Sequence, residues 1–391
     1  MQRSSFAFVL FFAIVTAVVG LIHFYLWSRL VRAPALDPSW QRAGGVAIAA
    51  LAVATPVGIA LARLLPRPAS RVVAGVAYGW FGLATLLLFT LLATELVRAG
   101  VHAAAAMLDA PFDPERRTLL SRVIAGGSVA LALGLGATGA AAALGEVAVR
   151  RVRVPLARLP KALSGFKVVQ LSDLHIGPTL GAAWLADVVA RTNALEPDLV
   201  VITGDLVDGS VEDLREQVAP LADLRAKHGV FFVTGNHEYY SGVDAWLSEL
   251  ARLGVRALRN EHVSIGDGDA SFDLAGVDDL SAHRFGNGHG ADLPRALAGR
   301  DRQRELLLLA HQPKQVLEAA EHGVGLQLSG HTHGGQIVPW NFFVRLDQPY
   351  IAGLARHRDT HVYVSRGTGF WGPPMRVGAP AEIALVELVT A

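Results

Sequence analysis

Cysteine is absent from all 391 residues, which removes thiol catalysis, cysteine-ligated zinc and disulfide stapling from the available chemistry. Lysine is scarce: Lys161, Lys167, Lys227 and Lys314 are the only ones, and none precedes Ser or Thr, so no phosphate-loop motif is complete. No Gly-x-Ser-x-Gly elbow occurs. His237-Glu238 does not open a zincin motif either, because Ser241 rather than His stands four positions on. Charged residues are only 18% of the chain against 52% apolar ones, which excludes a disordered polymer.

What is there is divided unevenly. Residues 1–160 hold 15 Lys+Arg and 6 Asp+Glu, while residues 161–391 hold 20 and 28. Of the 14 histidines, 12 lie in the second part. An acidic second part lacks the basic footprint that counterion release from nucleic acid requires, so no nucleic-acid partner is expected.

Residues 1–149 read as a transmembrane region with four spans, at 6–27, 46–65, 72–97 and 123–147. Each run is near or above the roughly 20 residues that cross about 30 Å of hydrocarbon. The first is too long for a signal-peptide core, and Leu26-Trp27-Ser28-Arg29 offers no small-residue cleavage site. Glycines 126, 127, 134, 136, 139 and 145 would weaken the fourth as an isolated helix but permit close packing in a bilayer. With few ionisable groups inside the spans, the region is expected to be an anchor in the cell membrane rather than a transporter. Nine basic residues on the inner flanks against seven on the outer lean the second part toward the cytoplasm. Arg116-Arg117-Thr118-Leu119-Leu120 resembles a twin-arginine export signal and points the other way, so the side is left open.

Residues 150–165 read as a basic linker, and 166–391 as an α/β domain. Short β-rich runs at 167–172, 199–203, 230–234, 271–276, 305–310, 326–329, 361–365 and 382–388 alternate with amphipathic stretches at 182–195, 211–227, 243–253 and 313–321.

Polar strings follow the strands in a repeated way: Asp173 and His175, Gly204-Asp205 with Asp208, Gly235-Asn236-His237-Glu238, His311, and Gly330-His331-Thr332-His333. Ligands of α/β sheets collect beyond the carboxyl ends of strands, so these strings are expected to meet in one pocket. Carboxylate, imidazole and amide oxygen without sulfur suit manganese, iron or zinc. Asp173/His175 and His331/His333 are i, i+2 pairs, which in extended backbone would point the same way. Seven candidate ligands, Asp173, His175, Asp205, Asn236, His311, His331 and His333, are too many for one tetrahedral ion and enough for two that share Asp205. Asp208 reads as a supporting or turn residue. His283 and His289, with Asn287 between them, read as a surface loop, and His228, His262, His322, His357 and His361 lack ligand spacing.

The five ordered strings resemble the signature of the calcineurin-like metallophosphoesterases over residues 166–389. The Gly334-Gly335-Gln336 and Ser365-Arg366-Gly367-Thr368-Gly369 context is most similar to the membrane-associated branch, which includes relatives of UDP-diacylglucosamine hydrolases. The resemblance implies an αββα sandwich with a dinuclear site. One ion would sit among Asp173, His175, Asp205 and His333, and the other among Asp205, Asn236, His311 and His331. His237 would lie by the substrate phosphate as the catalytic residue. Two ions so placed activate water for hydrolysis of a phosphate ester or pyrophosphate. A non-catalytic scaffold retaining the fold is the alternative, and the presence of every ligand position together with His237 weighs against it.

Between Gly334 and Pro374 lie Trp340, Phe342, Phe343, Tyr350, Phe370 and Trp371, with Arg345, Arg356 and Arg366 interspersed. Beside a metal site this segment is expected to form an amphipathic mouth for a lipid-linked phosphate. Closing the core of the second sheet is its competing role.

Overall fold

The computed structural model describes residues 2–107, 113–268, 270–286 and 288–391; Asn287 of the expected surface loop lies outside them. The chain divides into two compact units, Met1–Ala140 with Gly372–Met375, and Ala141–Trp371 with Arg376–Ala391.

The first unit carries helices α1 (Gln2–Trp27), α2 (Pro38–Ala62), α3 (Arg67–Met107) and α4 (Pro114–Leu144). All four contain stretches long and apolar enough to cross a membrane. Pro38 starts α2 where its missing N–H is no loss. Val46, Val53, Val72, Val76 and Leu96 on these helices are exposed. His23 is a satisfied packing residue: its Nε2 accepts from Trp80 Nε1 at 3.0 Å and its Nδ1 faces Val19 O at 2.8 Å. The fourth helix stops before the expected residue 147, since Gly145 and the two residues after it leave the helix and Ala148 begins a strand.

The second unit holds twelve strands among its described residues. They are β1 (Ala148–Leu156), β2 (Phe166–Leu171), β3 (Leu199–Ile202), β4 (Val230–Phe232), β5 (Val255–Ala257) and β6 (Glu261–Asp267). Then follow β7 (Ala270–Gly276), β8 (Leu306–Leu309), β9 (Leu326–Ser329), β10 (Gly353–His357), β11 (Thr360–Val364) and β12 (Glu382–Thr390). Two six-stranded sheets result, ordered β1-β12-β2-β3-β4-β5 and β10-β11-β9-β8-β7-β6. Strands β2 to β5 run parallel in one sheet, and β7, β8, β9 and β11 in the other.

Alternation along the strands separates three apolar layers. Val168, Val201 and Phe231 of the first sheet meet Phe272, Leu307, Leu309 and Leu328 of the second in the central layer. Val169, Leu171, Val200 and Ile202 face away, under α5 (Ala182–Asn193), α6 (Val211–Val218) and, after a short α7 (Asn236–Ser241), α8 (Val243–Arg252). On the far side Leu306 and Leu308 are covered by Leu293, Ala296 and Ala319. The architecture is the αββα sandwich, with mixed rather than purely parallel sheets.

Four strands were not among the expected eight, and one of them corrects the linker. Residues 148–156 pair in parallel with β12 from Ala148↔Glu382 to Leu156↔Thr390. Val154 and Leu156 are buried while Arg150, Arg151 and Arg153 stay exposed, so the basic run belongs to an edge strand, with Arg151 and Arg153 on the face opposite Val154 and Leu156. The expected helix 211–227 breaks after Val218, where Pro220 opens a 3-10 turn. The expected helix 313–321 is a series of one-turn pieces.

Candidate metal centre

Because β2, β3 and β4 are parallel, as are β8 and β9, their carboxyl ends lie on one edge of each sheet. The side chains that follow these ends are held across the sheets by backbone contacts. Gln170 Nε2 donates to Thr203 Oγ1 at 2.8 Å and to Ser329 O at 2.9 Å, and His331 N donates to Asp173 Oδ1 at 2.9 Å. Space at this edge is minimal. A Cβ on Gly330 would overlap Ser172 Oγ and Asp173 Oδ2, and one on Gly235 would overlap Asp205 Oδ1.

Asp173, His175 and His333 bring one ligand atom each within 4.8 Å of one another, and so do Asp205, His311 and His331. His175 Nε2 stands 3.1 Å from His333 Nε2, and His331 Nδ1 stands 3.2 Å from His311 Nε2. Asp205 Oδ2 faces both groups, 3.1 Å from His311 Nε2 and 3.9 Å from His175 Nε2. Asn236, the first residue of α7, keeps a buried Oδ1 without a hydrogen-bond partner among the described residues. A buried amide oxygen left unpaired costs desolvation, and coordination to a cation would remove that cost.

The residues fit a pair of divalent ions for a further reason. His311 Nδ1 faces Thr203 O at 2.7 Å and His175 Nδ1 faces Asp208 Oδ1 at 3.2 Å. Each acceptor holds a ring proton on Nδ1 and turns Nε2 to the centre, where a cation would take its lone pair. His333 is different: its Nδ1 faces Arg376 Nη2 at 3.2 Å. That buried guanidinium also donates to the carbonyls of His333, Arg366, Gly367, Gly369 and Ala379. It thereby ties the His331–His333 turn to the loop that closes over Asp173.

The i, i+2 argument for convergence does not hold. Asp173, His175, Asp205, His331 and His333 all have positive φ, between 46° and 70°, so their backbone is left-handed rather than extended. Side chains meet here because each turn folds back sharply at its strand end, at a conformational cost concentrated in the site.

His237 follows Asn236 on α7, and its N–H donates to Asp205 Oδ1 at 2.9 Å. Its Nδ1 lies 2.6 Å from Asp208 Oδ1, and its Nε2 lies 3.9 Å from Asp205 Oδ2. Burial opposes a charged imidazole, but Asp205 and the hydrogen bond to Asp208 outweigh it and push the pKa up to about 9. Asp208, read from sequence as a supporting or turn residue, contacts two site histidines through one oxygen, and Asp208, His175 and His237 form a third compact group. Burial acts against ionisation of Asp208, yet His175 and His237 hold its carboxyl well below the usual carboxylate range. Glu238 accepts from the N–H groups of Asp205, Leu206 and Gly235, bracing the turns that present Asp205 and Asn236.

Sequence reading missed Arg376 altogether, since a single arginine in Pro374-Met375-Arg376-Val377 carries no spacing signal. Histidines given ordinary roles have them: His262 Nδ1 faces Ala296 O, His322 Nδ1 faces Glu318 O and His289 Nδ1 meets Arg259. The expected mouth is only partly one. Phe370 is buried, Arg366 pairs with Glu382 at 2.8 Å and Arg356 with Asp359 at 3.1 Å, whereas Trp340, Phe342, Phe343 and Trp371 are exposed.

Residues 166–335 match the profile of the calcineurin-like phosphoesterases. The chain is 46% identical over 256 residues to a transmembrane protein with metallophosphoesterase domain from Bos taurus, covering 62% of this chain and 57% of that protein. It is 39% identical over 280 residues to an uncharacterized metallophosphoesterase of Helicobacter pylori strain J99, covering 71% and 74%. With an uncharacterized metallophosphoesterase of Aquifex aeolicus it shares 35% identity over 246 residues, covering 61% and 91%. The chain thus spans little more than half the length of the mammalian relative, but most of the bacterial ones. On this ground, and with its sandwich fold and clustered ligand groups, the chain belongs to the calcineurin-like phosphoesterase family.

Proposed function

We propose that this chain is a membrane-anchored phosphoesterase that holds two divalent ions and hydrolyses a phosphodiester or pyrophosphate bond in a lipid-linked substrate, such as a UDP-diacylglucosamine-like molecule or a phospholipid. On this reading residues 1–149 are the anchor and 166–391 the catalytic part. Asp173, His175, Asp205 and His333 hold one ion; Asp205, Asn236, His311 and His331 hold the other. The observation that carries the reading is Asp205 Oδ2, which faces both ligand groups, at 3.1 Å from His311 Nε2 and 3.9 Å from His175 Nε2.

Bound there, the ions supply Lewis-acid activation of water and positive charge against the phosphate oxygens. The chain's own residues do the rest. Thr203 O and Asp208 accept at the Nδ1 atoms of His311 and His175, so both rings are oriented with Nε2 toward the centre. Asp208 also holds the Nδ1 proton of His237, leaving Nε2–H to donate to a phosphate oxygen or to the departing oxygen. Asp208, through its hydrogen bond and charge, favours the protonated form of His237.

Four helices able to cross a membrane support the anchor, and the exposed aromatics of the second unit support an amphipathic substrate. Tethering raises the effective concentration of a bilayer-resident substrate. The basic-residue bias supports a cytoplasmic-membrane location with the catalytic part on the inner side.

The test uses the full chain in nanodiscs with manganese. Two ions per chain, hydrolysis of bis(p-nitrophenyl) phosphate, its loss on chelation, and greater turnover of a UDP-linked lipid or phospholipid than of its water-soluble headgroup analogue are expected. Two bound ions with no hydrolysis of any phosphoester would instead favour the scaffold.

A further inference from the structure

His237 is flanked by aromatic rings on its open sides. Tyr240 stands 5.4 Å away at an interplanar angle of 73°, and Trp371 stands 5.9 Å away at 77°. Phe285 continues the series, 5.4 Å from Tyr240. These rings are not closed into the core: Tyr240 is 63% exposed, Trp371 57% and Phe285 42%. Large rings rarely stand open beside a site of carboxylates and imidazoles unless their faces are used.

The wall is also held in place. Gln336 Nε2 donates to Trp371 O at 2.9 Å, and Trp371 N donates to Gln336 Oε1 at 3.0 Å. Gln336 itself continues the turn that carries His331 and His333, so the backbone of Trp371 is registered to the ligand groups. Tyr240 sits three residues beyond His237 on α7, a spacing that puts the two on neighbouring positions of one helical face. A proton donor to the departing oxygen must touch the leaving group, and both rings stand close to the His237 ring, at 5.4 and 5.9 Å centroid to centroid.

We propose that Tyr240 and Trp371 form the leaving-group wall of the site and select a planar aromatic or heteroaromatic group over an aliphatic one. The inference rests on the phosphoesterase reading and adds to it the class of leaving group. A ring bound between fixed indole and phenol faces gains the geometry-dependent attraction of offset or edge contacts, which a saturated ring of the same size lacks.

The test separates shape from hydrophobicity. Phenyl methylphosphonate and cyclohexyl methylphosphonate, a planar and a puckered ring on the same anion, are titrated against the manganese-loaded full chain by calorimetry and as inhibitors of bis(p-nitrophenyl) phosphate hydrolysis. The phenyl compound is expected to bind about tenfold more tightly. Trp371→Ala is expected to reduce the preference and Trp371→Phe to restore part of it, while the double variant with Tyr240→Ala erases it, all with unchanged metal content. Equal binding of the two anions by the unaltered protein, a preference for the cyclohexyl compound, or a phenyl preference surviving in the double variant would each overturn the proposal. Absence of hydrolysis by the unaltered, metal-replete protein would instead sink the phosphoesterase reading, because the calorimetric comparison does not depend on turnover.

Discussion

Asp208 Oδ1 accepts the Nδ1 proton of His237 at 2.6 Å, and the same oxygen stands 3.2 Å from His175 Nδ1. One carboxylate therefore couples a candidate ion ligand to the candidate proton donor. Neither imidazole can turn without losing the same partner.

Asp208→Asn tests that coupling through pH. His237 acts while protonated, so activity is present below its pKa and lost as pH rises through it, and the Asp208 carboxylate moves that alkaline limb upward. Removing the Asp208 carboxylate lowers that pKa. The alkaline limb of kcat/KM should then move at least about one unit toward acid. An unmoved limb would mean that His237 does not govern it.

His237→Ala should retain both ions by elemental analysis and lose about 10²–10⁴-fold in kcat, the range for a displaced general acid. Full turnover in the metal-replete variant would take the role from His237. A variant that had lost ions would mark it as a ligand instead.

Asn236→Ala has opposite consequences with and without metal. In chelator, deleting a buried oxygen that has no partner should leave thermal stability unchanged or raise it slightly. With manganese, the same variant should lose one of two ions and most of the metal-induced rise in Tm. An equal loss of stability in both conditions would show Asn236 to be purely structural.

Arg376→Met should be costly wherever the site is probed. The guanidinium is 3% exposed and satisfies five carbonyls from His333 to Ala379. Leaving these unpaired costs on the order of 3 kcal/mol. The lesion should also disorder the turn carrying His333, so manganese affinity should fall along with Tm. Arg376→Lys, with fewer donors, should recover only part of either. Unchanged metal affinity in a destabilised variant would confine Arg376 to folding.

The strand-end strings were legible because they follow β-rich runs, of which Leu199-Val200-Val201-Ile202 and Leu306-Leu307-Leu308-Leu309 are apolar on both faces, before an abrupt change to Gly, Asp, Asn or His. Parallel strands covered on one face by helices and on the other by a second sheet read that way from composition alone. Strand β1 was missed because only one of its faces is apolar near its end, and three arginines hide that alternation. Asp208 was undervalued because Asp following Leu206-Val207 is equally a turn residue in sequence.

By itself, the amino-acid order determined the membrane-competent helices, the α/β class and the identity of the donor side chains, since periodicity and side-chain chemistry are local properties. The two-sheet sandwich was what the family resemblance implied. Tertiary structure decided everything that depends on two segments meeting. It alone set the left-handed turns that make the donors converge and the single Asp208 oxygen shared by two rings. It alone put Arg376 behind His333 and the open aromatic faces beside His237. Those relations depend on sheet register and turn direction to within about an ångström, and no spacing along the chain encodes distances that short across the fold.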